Sequence, residues 1–450
     1  MAGQADLDTC LDHGRIGLFQ ILIFLLCGLV TMIDGFNTQV IGMVAPAIAS
    51  AWHTPTAAFG AVFVPGLIGG MLGPLVLGGA GDRFGRKPVL VASILLFSGV
   101  SLLTPLTTTI PQLALVRLIS GFGLGGALPG LVAITSDYAP KAVRAKVTGL
   151  MYCSFPFGSV LAGVVAAQMI PVWGWGSVFY VGSIFPLLLL PLFVAVVPES
   201  ARFLQLKGRT AALAKVLKRI NADVEWNGQV STSAGPAHSS VVGLFVDGRA
   251  IGTVLLWIAL FLSLLLSVFM VSWLPLLAHD SGIDAKSAVL AVSAWNIGGI
   301  IGCYLIGRLS ARLGLIATIG WAYIVGAVGV ALLGLAGHSG PILLGGAFIS
   351  GTFVVGAQMC VIGIAANFYD SSRRATGVGW SLGSGKFGAV VGPMIGGVLI
   401  GGGMSMLALF GIGGLVSLGA ALATFGLGPA SRRVSIRASG PDGFIADPVV

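Results

Sequence analysis

The sequence predicts an all-α membrane protein, with twelve transmembrane helices arranged as two pseudo-symmetric six-helix bundles. Three observations carry that prediction: the composition, the distribution of cations along the chain, and an internal repeat. Of 450 residues, 56% are hydrophobic and only 9% are charged, where a soluble domain carries about 25% Asp, Glu, Lys and Arg. Glycine supplies 69 residues, roughly twice its usual share of about 7%. No Gly-X-Y period accompanies it, so it fits membrane helices, where small residues let backbones approach closely. This composition excludes a soluble enzyme, a disordered chain and a nucleic-acid binder, despite a net charge of +9.

A helix needs about 20 mostly apolar residues to cross roughly 30 Å of hydrocarbon. The first 16 residues are polar, with Asp6, Asp8 and Asp12, and are expected to form a cytoplasmic segment rather than a cleavable signal peptide. Six apolar runs follow within the first bundle (17–197), at 17–44, 57–79, 88–106, 112–136, 147–169 and 177–197. A polar linker, 198–250, separates them from the second bundle, 251–428. Its six runs are 251–277, 288–307, 315–336, 341–366, 377–400 and 404–427, and residues 429–450 read as a cytoplasmic tail. Within the linker, residues 201–220 (ARFLQLKGRTAALAKVLKRI) form a basic amphipathic pattern, expected to lie as a helix on the cytoplasmic membrane surface.

Positive charge marks the cytoplasmic side of membrane proteins. With the N-terminus inside, 21 of the 24 Lys and Arg residues fall in cytoplasmic segments, and only Lys286 lies on the opposite face. The remaining two, Arg117 and Lys386, lie within spans. The split predicts an even number of crossings and two cytoplasmic termini. It also accounts for the basic balance without a polyanionic partner.

The repeat supports six plus six. At an offset of 229 residues, Ile68, Gly69, Gly70, Gly73, Gly78, Arg83 and Gly85 meet Ile297, Gly298, Gly299, Gly302, Gly307, Arg312 and Gly314. At 230, Ile119-Ser120-Gly121 and Gly126-Ala127 meet Ile349-Ser350-Gly351 and Gly356-Ala357. Two homologous halves facing a midplane site is transporter architecture.

Charges inside the membrane are the informative ones, because each costs at least about 2.5 kcal/mol at mid-span. Asp34 interrupts span one in Ile33-Asp34-Gly35-Phe36-Asn37-Thr38-Gln39, and helical spacing puts Asp34, Asn37 and Thr38 on one face. A lone carboxylate in a low-dielectric setting favours its protonated form, so it can take up and release a proton near neutrality. The alternative is a structural ion pair with Arg117. That arginine opens span four, about six residues or roughly 9 Å from the outer end. Its repeat counterpart is Ala347, which breaks the symmetry of the halves at this position; snorkelling to the interface is the competing explanation. Lys386 sits in Gly383-Ser384-Gly385-Lys386, roughly 18 Å from the cytoplasmic end, and needs an anion, either a fixed carboxylate or a substrate. Further polar and aromatic candidates for a cavity are Gln39, Tyr152, Trp273, Trp295, Asn296, Gln358 and Trp380. The five cysteines show no metal-ligand spacing. The five histidines are scattered, so neither a metal site nor a membrane enzyme is expected. The linker is too short and polar to be a sensor's output domain.

After span two stands Gly78-Gly79-Ala80-Gly81-Asp82-Arg83-Phe84-Gly85-Arg86-Lys87, with a degenerate copy from Gly307 to Gly314. The decapeptide resembles the signature loop of the major facilitator superfamily. That resemblance implies the superfamily's fold and a cytoplasmic latch stabilising the outward-open state, built from Gly78, Asp82, Arg83, Gly85, Arg86 and Lys87 with Asp137, Arg144 and Arg312. Several segments resemble one branch, the aromatic acid:proton symporters: Asp34-Gly35-Phe36-Asn37-Thr38 with Val44-Ala45-Pro46-Ala47-Ile48, the run from Arg117 to Pro129, Pro198-Glu199-Ser200-Ala201-Arg202-Phe203-Leu204, Trp273-Leu274-Pro275, and Arg374-Ala375-Thr376-Gly377-Val378-Gly379-Trp380.

The branch resemblance implies a monomeric importer of 4-hydroxybenzoate-like acids in a bacterial inner membrane, driven by the proton gradient and needing no other cofactor. Asp34 and Arg117 would couple the proton; Asn37, Gln39, Arg117, Tyr152, Trp273, Asn296, Gln358, Trp380 and Lys386 would contact substrate. The chain departs from the branch in having Asn37 where members commonly have a second acid, and Lys386 where they have arginine. Other branches remain open, among them a sugar or organic-acid symporter or a drug:proton exporter. Pro198-Glu199-Ser200 also resembles sugar porters, but their terminal acidic motif is missing. Exporters often carry Gly-Pro in span five, where this chain has Phe155-Pro156-Phe157-Gly158.

Overall fold

The computed structural model describes residues 16–220, 241–337, 339–370 and 373–438. The first 15 residues, part of the linker and the end of the tail lie outside them, so the expectations placed there are not addressed. Among the described residues there are 12 helices long and apolar enough to cross a membrane. The first six are α1 (Leu18–Trp52), α2 (Gly60–Phe84), α3 (Arg86–Ser101, within a span that continues to Leu106), α4 (Ile110–Tyr138), α5 (Lys141–Trp173) and α6 (Gly176–Val196). Two short linker helices follow, α7 (Ala201–Leu206) and α8 (Thr210–Ile220). The remaining six are α9 (Ala250–Asp280), α10 (Ala285–Leu313), α11 (Leu315–Leu333), α12 (Gly340–Phe368), α13 (Arg374–Gly401) and α14 (Met406–Ala438). Each expected run overlaps one of these helices, with ends that differ by up to several residues, and several helices continue past the polar residues that bounded the apolar runs. A helix satisfies its own backbone in lipid, and its hydrogen-bond ladder does not stop where hydropathy does.

The chain divides into two compact units. One comprises Met1–Val40, Pro65–Ala162 and Met169–Gly235, the other Ile41–Val64, Gly163–Gln168 and Pro236–Val450. The core of the first contains Ile23, Val30, Ile94, Phe97, Leu131, Tyr138 and Phe193. The second is built around Leu256, Leu260, Tyr323, Val361, Tyr369 and Leu427. There the Tyr323 hydroxyl lies 2.8 Å from Ser263 Oγ, and its backbone carbonyl accepts Ser417 Oγ at 2.8 Å.

The repeat is visible as packing inside each unit. In the first, a Cβ on Gly69 would overlap the carbonyl of Leu118, and one on Gly121 the carbonyl of Gly66. In the second, Gly298 meets the carbonyl of Phe348 in the same way, and Gly351 that of Trp295. The matched glycines thus make the same helix crossing twice, α2 on α4 and α10 on α12, with backbones touching.

The basic stretch 201–220 differs from expectation. It forms two helices interrupted near Gly208, and Leu213 and Leu217 of α8 are buried within the first unit's core. Their apolar face is spent on the protein. An amphipathic pattern records only that one face is apolar, and a bundle end can cover that face as well as lipid can.

Candidate functional site

The first unit buries a cation in its interior. Arg117, on α4, is 4% exposed. Its Nη2 donates to the backbone carbonyl of Asn37 on α1 at 2.7 Å. The guanidinium also lies over the Phe179 ring of α6, 5.7 Å from the centroid. Nη1 is buried without a hydrogen-bond partner among the described residues. A carbonyl dipole and an aromatic face each stabilise a desolvated arginine, the latter by about 2 kcal/mol when water is excluded. Neither carries the negative charge that would neutralise it. An Arg117–Asp34 ion pair, one of the expected alternatives, is not formed.

Asp34 is half-buried and accepts the Thr38 hydroxyl at 3.1 Å. The two are one helical turn apart, as the spacing predicts. Neighbouring backbones shape this stretch of α1. A Cβ on Gly35 would overlap the carbonyl of Phe155 on α5, one on Gly158 that of Met32, and Ser159 Oγ donates to the Gly35 carbonyl at 3.2 Å. Asn37 is fully buried and Gln39 nearly so. Tyr152, on α5, is exposed on this unit.

The candidates of the second unit occupy different settings. Trp273 is fully buried on α9; its indole nitrogen donates to the Pro393 carbonyl at 3.1 Å and its ring meets Phe63 edge-on at 5.2 Å. Trp295 is buried on α10. Asn296 is also buried and donates to the Val292 carbonyl at 2.9 Å. Gln358, on α12, accepts the Ser267 hydroxyl. Trp380 is 47% exposed and stacks on Trp257, centroids 5.9 Å apart. Lys386 is half-buried on α13, next to Gly385 and Gly388, whose small size admits α9. Trp273 and Trp295 are thus packed in the core, whereas Trp380 and Lys386 present accessible surface.

The loop Gly78–Lys87 has a built architecture of its own. Gly85 adopts φ +114°, a conformation that side chains resist, and so turns α2 directly into α3. The α3 N-terminus, whose first amides have no helical partner, is capped by a distant acid. Glu199 Oε1 accepts the amides of Arg86 at 2.7 Å and Lys87 at 3.1 Å, as well as that of Ser200 at 2.9 Å. Asp82 pairs with Arg86, and Lys87 Nζ reaches the Val194 carbonyl at 2.6 Å. Asp137 is buried, accepts the Ser200 hydroxyl, and lies 3.4 Å from Arg202 Nε. Arg144 Nε donates to the Ala139 carbonyl at 3.3 Å. Arg83 rests on Phe84 and is exposed. In the second unit, Arg312 is likewise exposed.

Sequence reasoning missed two residues that hold these sites together, Glu199 and Phe179. The run Pro198-Glu199-Ser200 was visible, but not its role as a remote helix cap. An aromatic residue in an apolar span carries no signal that marks it as a cation's neighbour.

Comparison with known proteins places the chain in a transporter family. A family model described as Major Facilitator Superfamily matches residues 27–357 and, in a second match, 256–445. The gallate transporter of Pseudomonas putida is 34% identical over 441 residues, covering 97% of this chain and 98% of that protein. The 4-hydroxybenzoate transporter PcaK of the same organism is 34% identical over 401 residues, covering 88% and 90%. Among solved structures, the inward-open xylose transporter XylE from E. coli superimposes with a TM-score of 0.70 at 18% identity, covering 90% of this chain and 96% of that one.

Proposed function

The chain belongs to the Major Facilitator Superfamily and is an integral membrane transporter, not an enzyme, and we propose that it imports an aromatic carboxylate together with protons across a bacterial inner membrane. The observation that carries this reading is the 34% identity, over almost the full length of both chains, to a protein named a gallate transporter. The buried cation at Arg117 supports it chemically, since an uncompensated guanidinium is suited to an anionic cargo or a titrating carboxylate.

In this reading Asp34 carries the proton, and Arg117 tunes it or meets the substrate. Lys386 holds the cargo's carboxylate as a point charge, and exposed aromatics such as Tyr152 and Trp380 take the ring. Protonation of Asp34 removes the charge that would oppose reorientation of the loaded carrier, which alternates access between the two sides. Both termini lie in the cytoplasm, and the carrier works as a monomer.

The test is uptake of a panel of labelled aromatic acids, gallate and 4-hydroxybenzoate first, into cells and right-side-out vesicles. Asp34→Asn should abolish accumulation against a gradient while leaving substrate exchange. Undiminished accumulation by that variant overturns the proton assignment. Lys386→Gln should weaken apparent affinity at least tenfold, and an unchanged KM removes Lys386 from the site.

A further inference from the structure

Asn37 stands between two backbone carbonyls that call for two hydrogens from one group, while its own Oδ1 is buried without a hydrogen-bond partner among the described residues. The side chain is fully buried, and Nδ2 donates to two backbone carbonyls, Ile33 on its own helix at 3.1 Å and Gly182 on α6 at 2.8 Å. Carbonyls only accept, so the group facing both must bring two hydrogens, and a primary amide does. Gly182 permits the approach, because a Cβ there would stand 2.8 Å from Asn37 Oδ1 and 2.9 Å from the Phe36 ring. The backbone carbonyl of the same residue accepts Arg117. One residue therefore fastens α1 to α6 with its side chain and aims Arg117 of α4 with its main chain.

We infer that Asn37 is a positioning residue, an uncharged clasp that fixes the Arg117 guanidinium and confines the pH response of this region to Asp34. The inference rests on the proton-coupled reading given above. A carboxylate at position 37 would set negative oxygen against two carbonyl oxygens, and a carboxylic acid would bring only one hydrogen for two acceptors. The amide keeps both hydrogens at every pH, so the α1–α6 contact does not open when a proton leaves. The charged groups around it are Asp34, one turn earlier on α1, and Arg117 from α4. The packed positions of α5 (Phe155, Ser159) and of α6 (Phe179, Gly182) bring no titratable group. Proton release at Asp34 can then act on Arg117 without loosening the helix contact that holds the arginine.

The deciding variants are Asn37→Asp and Asn37→Ser, compared with the wild type in two measurements between pH 5.5 and 8.5. One is thermal unfolding of the purified, detergent-solubilised protein. The other is initial uptake of the acid that the wild type transports. Asn37→Asp should fold at pH 5.5 and lose at least about 3 °C of its melting midpoint, relative to the wild type, as the pH rises. Its uptake, relative to the wild type, should fall at least tenfold over the same range. Asn37→Ser, which keeps one donor and no charge, should lose stability and uptake by a constant factor at all pH values. A pH profile for Asn37→Asp parallel to that of the wild type or of Asn37→Ser overturns the proposal, as does failure of Asn37→Asp to fold even at pH 5.5. The melting arm needs no cargo. Absence of aromatic acid uptake by the wild type would defeat the functional reading while leaving the clasp decided by the melting curves.

Discussion

Glu199 accepts the backbone amide of Arg86 at 2.7 Å, so a residue 113 positions further along the chain caps the helix that follows the Gly78–Lys87 loop. The cap joins the signature loop to the start of the linker within one unit. A carboxylate at a helix N-terminus gains from the helix dipole as well as from its hydrogen bonds.

Replacing Glu199 with Ala should destabilise the protein by about 2 kcal/mol, the scale for hydrogen bonds to a charged group. Glu199→Gln keeps an acceptor but loses the charge, so its loss should be roughly half as large. Thermal unfolding of the purified variants reads both values. Equal melting points for Glu199→Ala and the wild type would show that the cap contributes nothing.

Alanine substitution along the loop should separate glycines by geometry. Gly85 has φ +114° and a Cβ would overlap the Glu199 carboxylate, so Gly85→Ala strains the backbone and evicts the cap together. Gly79, within α2, has nothing within 4 Å of a Cβ, and Gly79→Ala should gain about 0.5–1 kcal/mol of helix stability. Expression level and melting midpoint should therefore move in opposite directions for the two variants.

How much of this was legible follows from what each signal measures. Hydropathy records transfer into lipid, and it located all twelve spans but not their ends. The glycine repeat records backbone contact, and it marked a crossing that occurs in both units. Asp34 and Arg117 stood out because charge in a span is expensive. The sequence does not say which partners those charges choose, because partner choice depends on helix rotation and rotamer. Thus Arg117 meets a carbonyl of Asn37 and the ring of Phe179 in place of the Asp34 carboxylate. The 201–220 segment misled for a related reason, since burial of Leu213 and Leu217 under the bundle leaves the same pattern as burial in lipid.

The cysteines should react in an order set by position. Cys153 is exposed, Cys27 is buried, and Cys303 and Cys360 are intermediate. Cys360 Sγ lies 3.8 Å from the Cys303 carbonyl, which brings the two residues together where α10 packs on α12. Among these four cysteines, maleimide should label Cys153 first and leave Cys27 unlabelled in the folded protein. Copper-phenanthroline with oxygen should join Cys303 to Cys360, a bridge that peptide mapping detects. A bridge from either of these to Cys153 in place of that pair would contradict the packing of α10 on α12.

Acid should loosen the link between the end of the linker and the α12–α13 turn. Arg373 Nη1 lies 2.7 Å from Asp247 Oδ2, and Arg249 lies 3.3 Å from both Asp247 and Asp370. The hydrogen bond from Arg373, helped by the charges of Arg373 and Arg249, holds the Asp247 carboxyl below its ordinary range. A folded-state pKa below the unfolded one contributes stability that is present above the unfolded value, about 3.9, and is lost as pH falls through the folded value. Asp247→Asn preserves a residue suited to the φ of +58° but removes the charge. Its melting midpoint should therefore fall less than that of the wild type below about pH 4. The pair is solvent-exposed, so the difference should be small and should shrink in salt.

The repeat makes a quantitative demand on both halves. Gly69 and Gly298 occupy matching positions, and a Cβ on either overlaps a carbonyl of the facing helix, Leu118 in one unit and Phe348 in the other. Neither carbonyl can swing away, because each belongs to a helix ladder, so the helices themselves must part. Gly69→Ala and Gly298→Ala should each cost about 1–3 kcal/mol, the scale for overpacking. Gly363, also helical, has nothing within 4 Å of a Cβ, and Gly363→Ala should cost nothing. Melting of the three purified variants compares them directly. A loss at Gly69 with none at Gly298 would mean that the second unit tolerates wider helix separation than the first, and that the shared glycines no longer perform the same task in both.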